Sequence, residues 1–193
     1  MKKYITVNEL KHIIEESLKN SDKSITVALD GPSASGKTTI AAEIQEYFGA
    51  NLFHADDFFL RPHQRTEERL ALPGGNFDKE RFSEEIIKGI LSEKDFTYRP
   101  FDCKTMSLSD AKNVKANRLN IIEGSYSCHP DIIMNYDITV FVTATKEIRR
   151  ERILKRNKEN SEMFFSKWIP LEERYFSFFG TKDKCCYIIE NQA

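Results

Sequence analysis

Residues 31–38, Gly31-Pro32-Ser33-Ala34-Ser35-Gly36-Lys37-Thr38, match the pattern G-x-x-x-x-G-K-[ST]. At average residue usage a chance match in a chain this long is on the order of one in a hundred. The flanks make the match more selective. Ile25–Leu29 is a short β-branched run that predicts a buried strand, and Thr38–Phe48 predicts a helix. A strand that ends in a glycine-rich turn and opens into a helix wraps backbone amides around an anion. Gly31 and Gly36 permit the curl, and Ser33, Ala34, Ser35 and Thr39 complete the cradle. In that arrangement Lys37 reaches the β- and γ-phosphates of a nucleotide and the Thr38 hydroxyl ligates Mg²⁺. The competing reading is a glycine-rich turn with an exposed lysine, which the strand and helix on either side disfavour.

The rest of the chain repeats the alternation. Thr6 and Glu9 form a capping box, and Val7, Leu10, Ile14 and Leu18 recur at helical spacing, predicting a helix over about 7–19. Strands are expected at Asn51–Ala55, Leu119–Ile122, Asp137–Val142 and Tyr187–Ile189. Asp78 can cap a helix that carries Phe82, Ile86 and Ile90 and runs to about Leu91. Residues 60–77 read as a long loop, 95–108 as a small hairpin, and Glu147–Arg156 as a charged helix. Residues 157–166 read as a polar, mobile segment, followed by a helix with Trp168, Tyr175 and Phe179. Trp168, Tyr175 and Phe179 are expected in the core. Strands alternating with helices imply an α/β fold with a mainly parallel sheet and helices on both faces. With no repeat and no linker, residues 1–193 are expected to form one domain, 1–20 being an N-terminal helical segment.

Composition removes several classes. With 29 Lys and Arg against 30 Asp and Glu, the chain has no cationic surplus with which to coat nucleic acid. No apolar run approaches the roughly 20 residues that span a bilayer, and polar residues from Asn8 onward break up any signal-peptide core. The four cysteines form no CxxC pair, which fits free thiols in a reducing cytoplasm. His63 and His129 belong to no metal-spaced cluster.

A phosphate loop of this type serves GTPases, ATP-driven motors and small-molecule kinases. A guanine reader of the form Asn-Lys-x-Asp is missing, because Asn157-Lys158-Glu159-Asn160 lacks the final Asp. The chain is short for a transporter ATPase with its second signature loop. A kinase remains. Asp56 and Asp57 follow the second strand of the alternation, and ligands of open α/β sheets sit at the carboxyl ends of strands. A carboxylate there can orient an acceptor hydroxyl and take its proton. Glu123 ends another strand, where it can hold Mg²⁺, position the acceptor, or pair with an arginine.

The motifs GPSASGKTT, HADDFF, GGNFDKERF, YRPFDC and IIEGSYS, then an arginine-rich helix, occur in that order. The set resembles the uridine kinase branch of the P-loop kinases, with pantothenate, phosphoribulo- and nicotinamide riboside kinases as cousins, over roughly residues 25–190. The resemblance implies a P-loop NTPase three-layer sandwich: a five-stranded, mainly parallel sheet with helices on both faces and a lid, about residues 157–166. It implies Asp56 as general base, Asp78 on ribose hydroxyls, Phe101 at the acceptor, and Glu123 near metal and acceptor. The donor would be ATP or GTP with Mg²⁺, and the acceptor a small molecule, a nucleoside before nicotinamide riboside or pantothenate. A non-catalytic nucleotide-binding regulator is the reading from another class. Uridine kinases carry a tyrosine and a histidine where this chain has Phe101 and Met106, so sharp pyrimidine selection is not expected.

Arg149, Arg152 and Arg156 fall at i, i+3 and i+7 on one helical face, with Arg150 elsewhere. Such a row suits a clamp on transferring phosphate, Arg152 and Arg156 nearest the chemistry and Arg149 toward the substrate. No membrane or nucleic-acid partner is expected. Homo-oligomerisation is left open by the sequence.

Overall fold

The computed structural model describes residues 3–156 and 161–192. Six strands form the main sheet: β1 (Lys3–Tyr4), β2 (Ile25–Asp30), β3 (Asn51–His54), β4 (Leu119–Glu123), β5 (Ile138–Thr143) and β6 (Tyr187–Glu190). Their order is β1-β6-β5-β2-β4-β3, and every neighbouring pair is parallel. Five of these strands are those expected. The sixth, β1, is two residues long, too short for any periodicity to announce it.

The sheet is covered on both faces, and the strands alternate between two cores. Leu29, Ile121, Val140 and Val142 face helices α1 (Val7–Asn20) and α2 (Lys37–Phe48), where Leu10, Ile14, Ile40 and Ile44 meet them. Phe53 and Ile122 face the other way, into an aromatic cluster with Phe58, Phe77, Phe82, Tyr126 and Tyr175. Being covered on both faces, β2 and β4 are buried at every position, as a parallel strand should be. The capping box of α1 forms: Glu9 N donates to Thr6 Oγ1 at 3.2 Å and Thr6 N to Glu9 Oε2 at 2.7 Å.

The helix begun by Asp78 is α3, which runs Lys79–Phe82, widens into a π turn over Ser83–Ile87, and finishes as Lys88–Leu91. The loop over 60–77 contains two short turns of helix, Pro62–Gln64 and Glu67–Leu70. The predicted small hairpin is two: Phe96–Tyr98 pairs with Lys112–Val114, and Phe101–Asp102 with Ser107–Leu108.

The polar segment expected at 157–166 is different. Residues 157–160 lie outside the described residues, and those that follow are helical rather than loose. Helix α4 (Lys146–Arg156) precedes them; Ser161–Met163 then leads through a π turn, Phe164–Trp168, into α5 (Ile169–Phe179). Pro170 explains the turn. It has no N–H and crowds the backbone one turn back, so the helix widens and Ile169 N donates five residues back to Phe164 O. No helix among the described residues is long and apolar enough to cross a membrane.

Candidate active site

The loop between β2 and α2 is shaped from within and gripped from outside. Gly31 (φ +145°) lies so close to β5 that a Cβ would stand 2.0 Å from Val142 O, and Gly36 (φ +99°) is pressed by Asn191. Beneath the loop Asp30 is fully buried and accepts from Gly31 N (2.7 Å), Cys128 N (2.9 Å), Tyr175 Oη (3.1 Å) and Tyr126 N (3.2 Å). Burial pushes its carboxyl up to about 6, against the pull of those donors and of Lys37. On the outside Arg149 Nε donates to Ser33 O (2.9 Å), Arg152 Nη1 to Ala34 O (2.9 Å) and Asn191 Nδ2 to Ser35 O (3.0 Å). With these carbonyls held, the first-turn amides of α2 remain the donors offered to an anion.

Lys37 is buried to 7% exposure and donates to Gly31 O (2.8 Å) and Pro32 O (3.1 Å). Glu172, reaching in from α5, accepts from Ser33 N (2.8 Å), Ser33 Oγ (2.5 Å) and Ser125 Oγ (2.8 Å). A carboxylate thus sits on a loop amide, and an anion bound at that amide must displace it.

Thr38 lies in the first turn of α2, and its hydroxyl donates to Glu123 Oε2 at 3.1 Å. The other oxygen of Glu123 lies 2.6 Å from His54 Nδ1, and that hydrogen bond raises the His54 pKa. A hydroxyl and a carboxylate side by side are hard oxygen donors of the type Mg²⁺ takes, with phosphate oxygens and water completing its shell. No cluster of three or more His, Cys, Asp or Glu among the described residues could hold a metal alone. The pair therefore fits a metal that arrives with a nucleotide.

Asp56 and Asp57 occupy a 3₁₀ turn, Ala55–Phe58, rather than an extended segment, yet they still diverge. Asp56 faces the cleft. Solvent reaches it there, but the surrounding protein strips enough water to raise its pKa, Glu123 and Glu172 adding to the rise and Lys37 opposing it. Asp57 faces away, accepting from Tyr98 Oη (3.3 Å) and lying 3.6 Å from Lys112 Nζ. Arg81 fixes this turn: it donates to Asp57 O (2.8 Å) and Arg99 O (2.7 Å) while lying 4.1 Å over the Phe58 ring.

A cleft of about 790 Å³ opens above these groups and runs from the loop to a wall of aromatic and sulfur side chains. Lys37, Thr38, Thr39, Asp56, Glu123 and Arg152 all line it, as do Ser33, Ala34, Gly36 and Arg156. Five expected site residues do not line it, the first being Gly31, which is pressed against β5. Arg149 grips the loop from behind, 8% exposed. Ser35 is buried under the loop. Phe101 is buried in its hairpin, and its neighbours Cys103 and Met106 line the cleft instead. Asp78 is 1% exposed; it caps α3 through Arg81 N (3.1 Å) and lies 3.5 Å from Arg81 Nε, while Asn76 from the same motif reaches the cleft. Conversely, Trp168 leaves the core for the cleft, stacked 6.4 Å from Phe59 with ring planes 25° apart. Glu172, Arg65 and Asn191 have no motif around them and were invisible in the sequence. Asp30 and Asn76 lie within or beside the quoted motifs.

No family model matches the chain. In sequence it is 27% identical over 164 residues to a dephospho-CoA kinase of Aquifex aeolicus (strain VF5), covering 77% of this chain and 82% of that protein. In structure it is similar to a possible uridine kinase from Bacillus stearothermophilus, with a TM-score of 0.66 at 18% identity, over 94% of this chain and 99% of the other. A D-glycerate 3-kinase from Cryptococcus neoformans var. grubii serotype A superposes with a TM-score of 0.64 at 13% identity, over 95% of both chains. The chain has the fold of the uridine kinase-like P-loop small-molecule kinases.

Proposed function

We propose that the protein is a Mg²⁺-dependent phosphotransferase that moves the γ-phosphate of ATP or GTP to a hydroxyl of a small acceptor. The observation that carries this reading is the convergence on one cleft of the phosphate loop, the Thr38–Glu123 pair and Asp56. The donor's phosphates would lie along the first-turn amides of α2 with Lys37 on the β- and γ-oxygens. Thr38 and Glu123 would hold Mg²⁺, which when bound neutralises charge on the transferring group. Asp56, ionised, would orient the acceptor hydroxyl and accept its proton as the oxygen attacks phosphorus. Arg152 and Arg156 would stabilise the charge that develops on the transferring phosphoryl.

A nucleoside-type acceptor fits the Phe59–Trp168 wall, since a planar base can lie against a ring face. Dephospho-CoA, on which the Aquifex relative acts by name, also carries such a base and is the second acceptor to consider. The test is ADP release by the purified chain with Mg-ATP and with Mg-GTP over uridine, cytidine, nicotinamide riboside, pantothenate and dephospho-CoA. Acceptor-dependent release is expected. Tight ATP binding with no release on any acceptor would favour a non-catalytic nucleotide-binding protein.

A further inference from the structure

The acceptor end of the cleft contains one cation that the transfer chemistry does not use. Arg65 follows the short turn Pro62–Gln64, lines the cleft and is half-buried. Among the described residues its side chain makes one hydrogen bond, a weak one, Nη1 to Met106 Sδ at 3.9 Å. No carboxylate among the described residues lies within ion-pair distance of it. Most other partly buried arginines here are spoken for: Arg69 pairs with Glu80, Arg81 with Asp78 and Glu85, and Arg149 and Arg152 hold loop carbonyls. A half-buried guanidinium keeps its desolvation cost and, without a partner, recovers little of it.

The contacts of Arg65 are with the hairpin rather than with the phosphate loop. It stands against the hairpin turn that carries Cys103 and Met106, on the side of Asp56. The Cys103 thiol senses both neighbours: burial raises its pKa, Asp56 adds to the rise and Arg65 opposes it. The donor phosphates already have the loop amides, Lys37, Arg152 and Arg156. On that side Phe59, Trp168, Met106 and Cys103 are apolar or weakly polar and Asn76 is uncharged, so Arg65 is the charged group offered to an acceptor there.

We propose that the acceptor carries an anionic group, a phosphate or a carboxylate, and that Arg65 is the specificity-determining residue that receives it. The guanidinium fork matches either anion in a bidentate pair. The anion fixes the acceptor at one end while Asp56 takes its hydroxyl at the other. This proposal rests on the phosphotransferase reading for its chemistry, but the binding it asserts can be measured without turnover.

Cys103 is the reporter. Cys128 and Cys185 are buried, and Cys186 is exposed but lies just before β6, outside the cleft. In the Cys186→Ser protein, with Mg²⁺ and a non-hydrolysable ATP analogue filling the donor site, iodoacetamide labelling reads Cys103. Two matched pairs distinguish the anions: cytidine against cytidine 5′-monophosphate for phosphate, glycerol against D-glycerate for carboxylate. At least one charged member should slow labelling while its neutral partner, at equal concentration, does not. Arg65→Gln should weaken that protection by roughly 10- to 100-fold in ligand concentration, the scale of one charge-assisted hydrogen bond, and Arg65→Lys should keep part of it. ATP-analogue affinity should be the same in all three proteins. Equal protection by neutral and charged partners, no protection by either charged compound, or protection that survives Arg65→Gln overturns the proposal. Failure of the phosphotransferase reading looks different: charged compounds protect Cys103, yet ATP yields no ADP with any acceptor.

Discussion

The Thr38 hydroxyl donates to Glu123 Oε2 at 3.1 Å, joining the first turn of α2 to the end of the adjacent strand β4. If this pair is the Mg²⁺ site, Glu123→Gln should raise the Mg²⁺ concentration needed for half-maximal activity by tenfold or more, a loss of about 1.4 kcal/mol or more. If Glu123 serves only to pair with His54, the variant should melt earlier and keep its Mg²⁺ requirement. A Mg²⁺ titration of activity beside a melting curve separates the two.

Asp56 and Asp57 should behave differently although they are adjacent. Asp56→Asn should lose roughly 10²–10⁴ in kcat, the scale of a general base, and still bind ATP. Asp57→Asn should be mild, since Asp57 faces Tyr98 and Lys112. Asp56 must be ionised to act, and its pKa is raised by burial, so kcat/KM should fall with acid from above the ordinary aspartate range. That limb should vanish in Asp56→Asn. A dead Asp57 variant with an active Asp56 variant would reverse the assignment.

Asp78→Ala should cost stability rather than acceptor affinity. A lost aspartate cap is worth about 0.5–2 kcal/mol. The variant also leaves Arg81, 8% exposed and the brace of the Asp56 turn, without one of its two carboxylate partners, Glu85 being the other. A lower melting temperature with unchanged acceptor KM is expected. A raised acceptor KM at unchanged stability would return Asp78 to the substrate.

Asp30 gives the fold a pH signature. Its carboxyl, near 3.8 when unfolded, is held at about 6 in the folded chain by burial. Between those values the native state keeps a proton that the unfolded chain releases. Its contribution to stability is therefore full below 3.8 and is lost as pH rises to about 6. Urea unfolding across that window should show wild type losing stability relative to Asp30→Asn as pH rises. Parallel curves would mean Asp30 is not perturbed.

The sheet and the phosphate loop were legible because local pattern determines them: β-branched runs mark buried strands, and the loop glycines meet a backbone demand. The acceptor side was much less so. Trp168 reads as core by spacing, but Pro170 forces a π turn at Phe164–Trp168 that helical spacing does not anticipate. The resemblance assigns Asp78 to ribose hydroxyls, and only the position of Arg81 shows that its carboxylate is turned inward. Glu172 and Arg65 reach the site from segments distant in sequence and belong to no spacing rule. Residues supplied by tertiary packing alone leave no local trace.

Phosphoryl transfer is read from the product itself. The purified chain, Mg-ATP labelled in its γ-phosphate and a pooled set of hydroxylated acceptors should give a labelled, chromatographically distinct acceptor product. The amount should match the ADP formed. In Lys37→Ala the same product should fall about 10²–10³-fold, the loss expected for one preorganised charge contact, with the fold intact by circular dichroism. Label that appears only as inorganic phosphate, or product formed at wild-type rate by folded Lys37→Ala, would contradict the account.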